Sequence, residues 1–286
     1  MTIAFVYSGG ASLGSIQVGM TRALFEAGIK PDMLVGTSAG AINAAFLAMH
    51  SGTGAIDELA DVWRKLRRST VFPVRPVAGF LGFFGRRNYL CTPEPLRDLL
   101  GHHLGTGDLA DTQLPLRVVA TDLATGREAV LDQGGLVDAV MASASLPGIF
   151  PPVKFGGRHL IDGGVINNAP LSHAVRNGAD RVYLLVCGHA CALTHPPTSA
   201  LGSILQAVSV LVGRQLVADV EHYEGRCMLH VVPQLCPLEV SPMDFSKADL
   251  LMARGHAAAS AWLDAVHSFD QPGRSGQGIT IEPHTH

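Results

Sequence analysis

Charged side chains, aromatic side chains and long apolar runs are all scarce in this chain of 286 residues. Charged residues make up 16% of it and aromatic residues 6%, and the formal net charge is only −3, so the overall charge does not favour nucleic-acid binding. No segment offers about 18 consecutive apolar residues, the length of a membrane-spanning helix. Because 47% of the residues are hydrophobic, the chain is too apolar for disorder and has enough apolar residues for a packed core, and its length permits one large α/β domain or two smaller ones.

Cysteine is also sparse, and its arrangement argues against both disulfide frameworks and zinc. The five cysteines are odd in number and lack the paired spacing of a zinc site. The apolar segment Ile3–Tyr7 is too short for a secretory signal and has no basic leader. Together these features predict a reduced, cytoplasmic setting.

Short apolar runs alternate with helical periodicity in the first fifty residues. Ile3–Tyr7 and Met33–Val35 have the pattern of buried parallel strands, and each is followed by a stretch with helical spacing, from Gly14 to about Ala27 and over Ala39–Met49. This strand–helix alternation predicts a parallel sheet covered by helices.

The rest of the chain continues the α/β pattern. Further strands are predicted at Leu116–Thr121, Glu128–Leu131, His159–Ile161, Arg181–Val186 and Met228–Val232. Two long helices, near Ser203–Glu221 and Lys247–Val266, are predicted to cover the sheet. We predict one domain over residues 1–268, with a mixed lid or insertion at about 51–113 and a flexible tail over 269–286.

The strongest chemical signal is Gly36–Gly40 (Gly-Thr-Ser-Ala-Gly), which lies directly between a predicted strand and a predicted helix. A serine on such a turn is held in a strained conformation, and Gly36 and Gly40 relieve the crowding around it. The helix start also directs its positive dipole end toward an oxyanion. Ser38 is therefore the candidate nucleophile, although the same sequence also suits a plain packing turn.

A second glycine-rich turn, Gly9–Gly14 (Gly-Gly-Ala-Ser-Leu-Gly), follows the first strand. Its backbone amides can converge on one point, so the candidate oxyanion donors are those of Gly9, Gly10, Ala11 and Ser12, with Gly14 as support. The alternative is a dinucleotide fingerprint, with Asp32 as the ribose-binding acid. Ala11 stands at that fingerprint's middle glycine, which weakens this reading.

A third motif, Asp162-Gly163-Gly164, follows the predicted strand His159–Ile161. An aspartate in a dry site has a raised pKa and can act as the base for a serine. Taken alone, the same residues also suit an ordinary Asp-Gly turn.

In this order, the three motifs resemble those of the patatin-like phospholipases, a family of serine hydrolases. The segment Ala144–Pro152 also resembles the family's segment before the aspartate, and the resemblance runs from Ile3 to about Val186. It implies a three-layer α/β/α sandwich around a mainly parallel sheet, and a Ser38–Asp162 dyad that needs no metal or other cofactor. Ala11 departs from the family's third glycine and Leu13 from a frequent basic residue.

Other signals leave alternatives open. A Ser-His-Asp triad could combine Ser38 and Asp162 with His173 or His189. Cys187 and Cys191, with His189 and His195 nearby, could be read as a metal cluster. Residues 64–87 combine seven basic residues with interleaved aromatic and aliphatic ones and contain no acid, which suits either peripheral membrane contact or a lid over the cleft.

The sequence therefore predicts a hydrolase of acyl esters, with phospholipid, lysophospholipid or a related lipid ester as substrate. A thioesterase or acyltransferase with the same nucleophile is a second hypothesis. A non-catalytic lipid-binding module is the third, and intact Ser38 and Asp162 argue against it.

Overall fold

The computed structural model describes residues 1–50, 52, 54–73, 89–187, 196, 198, 200–236, 238 and 240–269. Eight strands form one sheet: β1 Ile3–Tyr7, β2 Met33–Thr37, β3 Leu116–Asp122, β4 Glu128–Leu131, β5 Val153–Phe155, β6 Arg158–Asp162, β7 Arg181–Leu185 and β8 Met228–Val232. The strand order is β5-β6-β3-β2-β1-β7-β8, and β4 pairs with β3 outside this path.

The centre of the sheet is parallel and one side of it is antiparallel. Strands β3, β2, β1, β7 and β8 pair in parallel, whereas β4 and β6 pair antiparallel with β3, and β5 pairs antiparallel with β6. Because the parallel strands share one direction, β1 and β2 end at the same edge of the sheet. The turns that follow them, at Ser8 and Ser38, therefore lie side by side.

Helices cover both faces of this sheet. They are α1 Gly14–Glu26, α2 Ala39–Met49, α3 Ala55–Lys65, α4 Arg68–Val71, α5 Glu94–Leu104, α6 Leu136–Ser143, α7 Leu171–Arg176, α8 Ala200–Tyr223 and α9 Ala248–Phe269. The larger core unites one sheet face with α1, α2, α3, α5, α6 and α9. The smaller core lies between the other face and helices α7 and α8.

This arrangement confirms the predicted fold class, a three-layer α/β/α sandwich. Strand β1 and helix α2 have the predicted bounds, and β2 extends beyond the predicted Val35 to Thr37. The last helix continues to Phe269, so residue 269 is helical rather than part of the tail, and residues 270–286 lie outside the described part. The single domain over 1–268 and the insertion at 51–113 stay predictions.

The described residues include no helix with the length and hydropathy needed to cross a bilayer. Among the described cysteines, Cys91, Cys187 and Cys227 are free thiols, whereas Cys236 is disulfide-bonded. The predicted reduced setting gives no reason to expect this disulfide.

Candidate active site

Ser38 occupies a strained turn between β2 and α2. Its backbone has φ 55° and ψ −124°, a left-handed φ that side-chain-bearing residues rarely adopt. A Cβ atom on Gly40 would lie 2.4 Å from the Tyr7 carbonyl oxygen, and one on Gly36 would lie 2.6 Å from the Gly40 carbonyl oxygen. Only glycine fits at these two positions, as the sequence pattern predicts.

The turn is held by the hydroxyl of Ser143, a residue outside the sequence motifs. Ser143, at the end of α6, accepts a 2.8 Å hydrogen bond from the Ser38 amide and donates one of 2.5 Å to the Val119 carbonyl. Both bonds are buried, so the Ser143 side chain links the turn to strand β3. The one indication of this role in the sequence is that Ser143 directly precedes the segment Ala144–Pro152.

The Ser38 hydroxyl and the Asp162 carboxylate are in direct contact. Ser38 Oγ donates a 2.6 Å hydrogen bond to Asp162 Oδ2, and the Gly164 amide donates one of 2.7 Å to Asp162 Oδ1. Asp162 is 2% exposed and Ser38 is 8% exposed. The folded chain thus brings residues 124 positions apart into one buried pair.

Burial gives this carboxylate the properties of a base. Desolvation raises the pKa of Asp162 from 3.8 to about 6, although the bonds from Ser38 and Gly164 act in the opposite direction. Above that pH the group is charged and can accept a proton from the hydroxyl that it contacts. The geometry can therefore convert Ser38 into a nucleophile without a third side chain.

The glycine-rich turn contributes fewer free amides than the sequence predicts. The Gly9 amide donates to the Asn168 carbonyl at 3.2 Å, and the Ser12 amide donates to the Pro242 carbonyl at 3.0 Å. Within the described residues, no acceptor is bonded to the amides of Gly10 and Ala11. All four oxyanion donors stay predictions, and the bonds to protein carbonyls favour Gly10 and Ala11 over Gly9 and Ser12.

Ala11 itself is in the left-handed region, with φ 50°. We expect Ala11→Gly to raise the free energy of unfolding by about 0.5–1 kcal/mol, since the left-handed strain of about 1–2 kcal/mol exceeds the added chain entropy of glycine. The donor amide is retained, so kcat stays unchanged. Urea unfolding measures the effect. The control is Ala257→Gly on the exposed face of α9, where we expect glycine to lower the free energy of unfolding by about 1 kcal/mol. A destabilised Ala11→Gly protein would contradict the strain argument.

Two consecutive asparagines tie the three motifs together. The Asn168 carbonyl accepts from the Gly9 amide, and Asn168 Nδ2 donates back to the Gly9 carbonyl at 3.3 Å. Thr37, next to the nucleophile, donates from Oγ1 to the Asn167 carbonyl at 2.9 Å. None of the sequence motifs includes this pair, and its one signal in the sequence is its position shortly after Asp162-Gly163-Gly164.

We expect Asn168→Ala to lower kcat roughly 10- to 100-fold with little change in KM, because small displacements of donor groups cost about that much. The change removes the side-chain bond that fixes the Gly9 turn against the Asp162 loop. Steady-state hydrolysis of a soluble ester measures the split between kcat and KM. Asn177→Ala, which removes a 2.7 Å bond to the His173 carbonyl, is the matched control and should keep its kcat. Equal kcat losses in both variants would indicate a general structural effect instead.

A narrow apolar cleft lies beside Ser38. It encloses about 50 Å³, and its lining includes Ala11, Ser38, Trp63, Phe72, Phe150 and Phe245. The Phe72 ring lies 5.6 Å from that of Phe150 and 5.9 Å from that of Phe245, between ring centroids. Such an apolar wall suits an acyl chain rather than a charged group.

The described part of segment 64–87 ends at residue 73. There Leu66, Val71 and Phe72 are buried and line the cleft. Arg64 pairs with Asp61 and Asp249. These contacts favour the covering role over membrane contact for residues 64–73, and residues 74–87 lie outside the described part.

The alternative sites find no support among the described residues. The hydrogen-bond partners of the Asp162 side chain there are Ser38 and Gly164, without a histidine, and His173 instead lies 2.9 Å from Glu128. Asp32 accepts from the Ile3 amide at 2.7 Å, a structural role. The described part contains no metal-binding group of three His, Cys, Asp or Glu residues, and His189, Cys191 and His195 lie outside it.

Part of the chain is similar in sequence to known proteins. The family model described as patatin-like phospholipase matches residues 5–175. Patatin-like phospholipase domain-containing protein 7 of Rattus norvegicus is 32% identical over 195 residues, which cover 65% of this chain and 14% of the rat protein. Lysophospholipase nte1 of Aspergillus terreus is 30% identical over 195 residues, which cover 65% of this chain and 12% of that protein. The match thus spans a small fraction of these relatives.

A solved structure supports the fold. VipD from Legionella pneumophila superposes with a TM-score of 0.53 at 15% identity, and the match covers 92% of this chain and 67% of that one.

Proposed function

The chain belongs to the patatin-like phospholipase family, and from that premise we propose that it is a serine hydrolase of lipid acyl esters. The observation that carries the proposal is the buried 2.6 Å hydrogen bond from Ser38 Oγ to Asp162 Oδ2. A binding module would need neither the strained serine nor a carboxylate whose pKa is raised to about 6.

In the proposed acylation step, Asp162 Oδ2 takes the Ser38 proton while Oγ attacks the ester carbonyl carbon. The carbonyl oxygen becomes an oxyanion, which the amides of Gly10 and Ala11 are free to stabilise. Collapse of this intermediate breaks the bond to the alcohol, and the departing oxygen takes the proton from Asp162. The products of the step are an acyl-Ser38 ester and a free alcohol.

Deacylation repeats the sequence with water. Asp162, charged again, removes a proton from a water molecule that attacks the acyl-Ser38 carbonyl. Collapse of the second oxyanion releases the fatty acid, and Ser38 Oγ recovers the proton through Asp162. Every proton thus moves through one carboxylate, and no metal or other cofactor is required.

The substrate class that we propose is phospholipid or lysophospholipid. The cleft beside Ser38 is lined by aliphatic and aromatic side chains, which suits the acyl chain of such a lipid. The names of the rat and fungal relatives point to the same class, phospholipids and lysophospholipids. A cytoplasmic location, peripheral to a membrane, remains part of the proposal.

The experiment that tests this function is a lipid-class profile of the purified protein. Fatty-acid release from phospholipid, lysophospholipid and acyl-CoA is measured side by side. The proposal predicts faster release from one of the two phospholipid classes than from acyl-CoA. Faster release from acyl-CoA would instead support the thioesterase hypothesis and contradict the proposed substrate.

A further inference from the structure

Helix α8 has an apolar face that the described part of the chain leaves uncovered. Its C-terminal half buries Leu216 and Val220 in the smaller core. Its N-terminal half exposes Ile204 by 60%, Val208 by 48% and Leu211 by 67%. Because these three residues are spaced by four and three positions, they lie on one side of the helix. The predicted covering of the sheet by this helix is seen at Leu216 and Val220, among the side chains that the structure describes.

The uncovered face lies at the edge of the sheet that carries Ser38. Strand β7 ends at that edge and β8, parallel to it, begins at the opposite edge, so α8 runs from the Ser38 edge toward the far one. Gln215 Nε2 donates to the Ile166 carbonyl at 2.8 Å, which fixes α8 beside the loop after Asp162. Ile204 is eleven residues before Gln215, about 16 Å further toward the Ser38 side.

The same edge carries a further exposed aliphatic side chain. Val165, three positions after Asp162, is 56% exposed. The N-terminal half of α8 and the loop after Asp162 therefore both present exposed apolar groups at the sheet edge that carries Ser38.

The absence of charge on this face favours a zwitterionic lipid surface as its binding partner. Residues 200–213 contain no charged side chain, and Arg214 is the first. An anionic membrane would attract clustered Lys and Arg, which this half of the helix lacks. A zwitterionic phospholipid surface needs no such charges and accepts apolar side chains at its headgroup boundary.

The size of the face argues against a second copy of the chain. A stable protein interface buries about 800 Å² on each partner. Three exposed aliphatic side chains provide on the order of 300 Å². That area is too small for a stable dimer, whereas reversible adsorption to a lipid surface requires no minimum footprint of this kind.

We propose that the N-terminal half of α8 docks the protein onto zwitterionic phospholipid surfaces through Ile204, Val208 and Leu211. Docking there brings the Ser38 edge to the lipid. The inference deepens the proposed function and rests on it for its purpose, but adsorption itself is measured without turnover. It also assigns the membrane contact to a different segment from residues 64–87.

The test is co-sedimentation with phosphatidylcholine vesicles, using the full chain and the double variant Ile204→Ser/Leu211→Ser. We expect the vesicle partition coefficient to fall at least about tenfold in the double variant, since two apolar anchors are lost. Val217→Ser is the matched control, an aliphatic residue 38% exposed on the C-terminal half of α8, and should partition like the parent. Hydrolysis of a soluble ester stays unchanged in both variants.

Raising the salt from about 0.1 M to about 1 M should leave the partition unchanged, because no charge contributes. Partition that requires anionic lipid and falls with salt would overturn the proposal in favour of the basic segment. A parent dimer that becomes monomeric in the double variant would overturn it in favour of self-association. If the Ser38→Ala protein still binds vesicles, docking is supported even if the protein proves not to be a hydrolase. The docking proposal and the proposed function can therefore be contradicted separately.

Discussion

Replacing Ser38 by alanine lowers kcat for ester hydrolysis by at least about 10⁴-fold, because the oxygen that attacks the carbonyl is lost. The fold is expected to persist, since among the described residues the Ser38 side chain makes one hydrogen bond, to Asp162. Its amide bond to Ser143 is independent of the side chain. The measurement is steady-state hydrolysis of a p-nitrophenyl ester, together with circular dichroism of both proteins.

Ser145→Ala is a suitable control for this variant. Ser145 is also buried, and its hydroxyl donates to the Met141 carbonyl at 2.7 Å, away from the Ser38 hydroxyl. The main-chain carbonyl of Ser145, which accepts from the Asp162 amide, is unaffected by the change. Its kcat should remain within about tenfold of the parent's. Substantial turnover by a folded Ser38→Ala protein would remove Ser38 from the mechanism.

The second large effect concerns Asp162, whose pKa is raised to about 6 by desolvation. Because only the ionised carboxylate can take the Ser38 proton, kcat/KM should rise with pH up to about 6 and level off above it. Asp162→Asn cannot accept that proton and should lose about 10³-fold or more in kcat above pH ~7, where the parent carboxyl is ionised. A pH profile of kcat/KM on a soluble ester measures both. A profile without an inflection near this pH, or an active Asp162→Asn protein, would contradict the role of this base.

The raised pKa of Asp162 has the opposite effect on stability. The ionisation that permits catalysis lowers the free energy of unfolding. A carboxyl group whose folded-state pKa is raised stabilises the fold only while it is protonated, so its contribution is lost as the pH rises through about 6. At pH 8 the ionised, buried Asp162 therefore costs about 3 kcal/mol. Asp162→Asn should be more stable than the parent at this pH, and the difference should vanish below pH ~4. Urea unfolding at both pH values measures it.

The local parts of the molecule could be predicted from the sequence. Strands β1 and β2 are short apolar runs that end at a glycine or a turn. The Ser38 turn requires Gly36 and Gly40, which no other residue could replace. Ala11 stands where the resemblance places a third glycine, and its φ of 50° is a left-handed value that costs alanine more than glycine. These features depend on neighbours within a few positions along the chain.

The parts that depend on distant contacts could not be predicted. The amide of Gly9 is used by Asn168 and that of Ser12 by Pro242, residues 159 and 230 positions away, so the free donors follow only from the folded chain. The contacts of Asn168 have the same origin. Composition also predicted helix α8 but not its exposed half, because its apolar residues surround the helix and do not indicate which side meets the sheet.

The central claim is that Ser38 is a nucleophile activated by Asp162, and covalent labelling tests it most directly. The parent and Asp162→Asn proteins are treated with a fluorophosphonate at pH 8, and the modified peptide is identified by mass spectrometry. We predict one adduct, on Ser38, that forms at least about 10²-fold more slowly in Asp162→Asn. No adduct on Ser38, or equal labelling rates in the two proteins, would contradict the account.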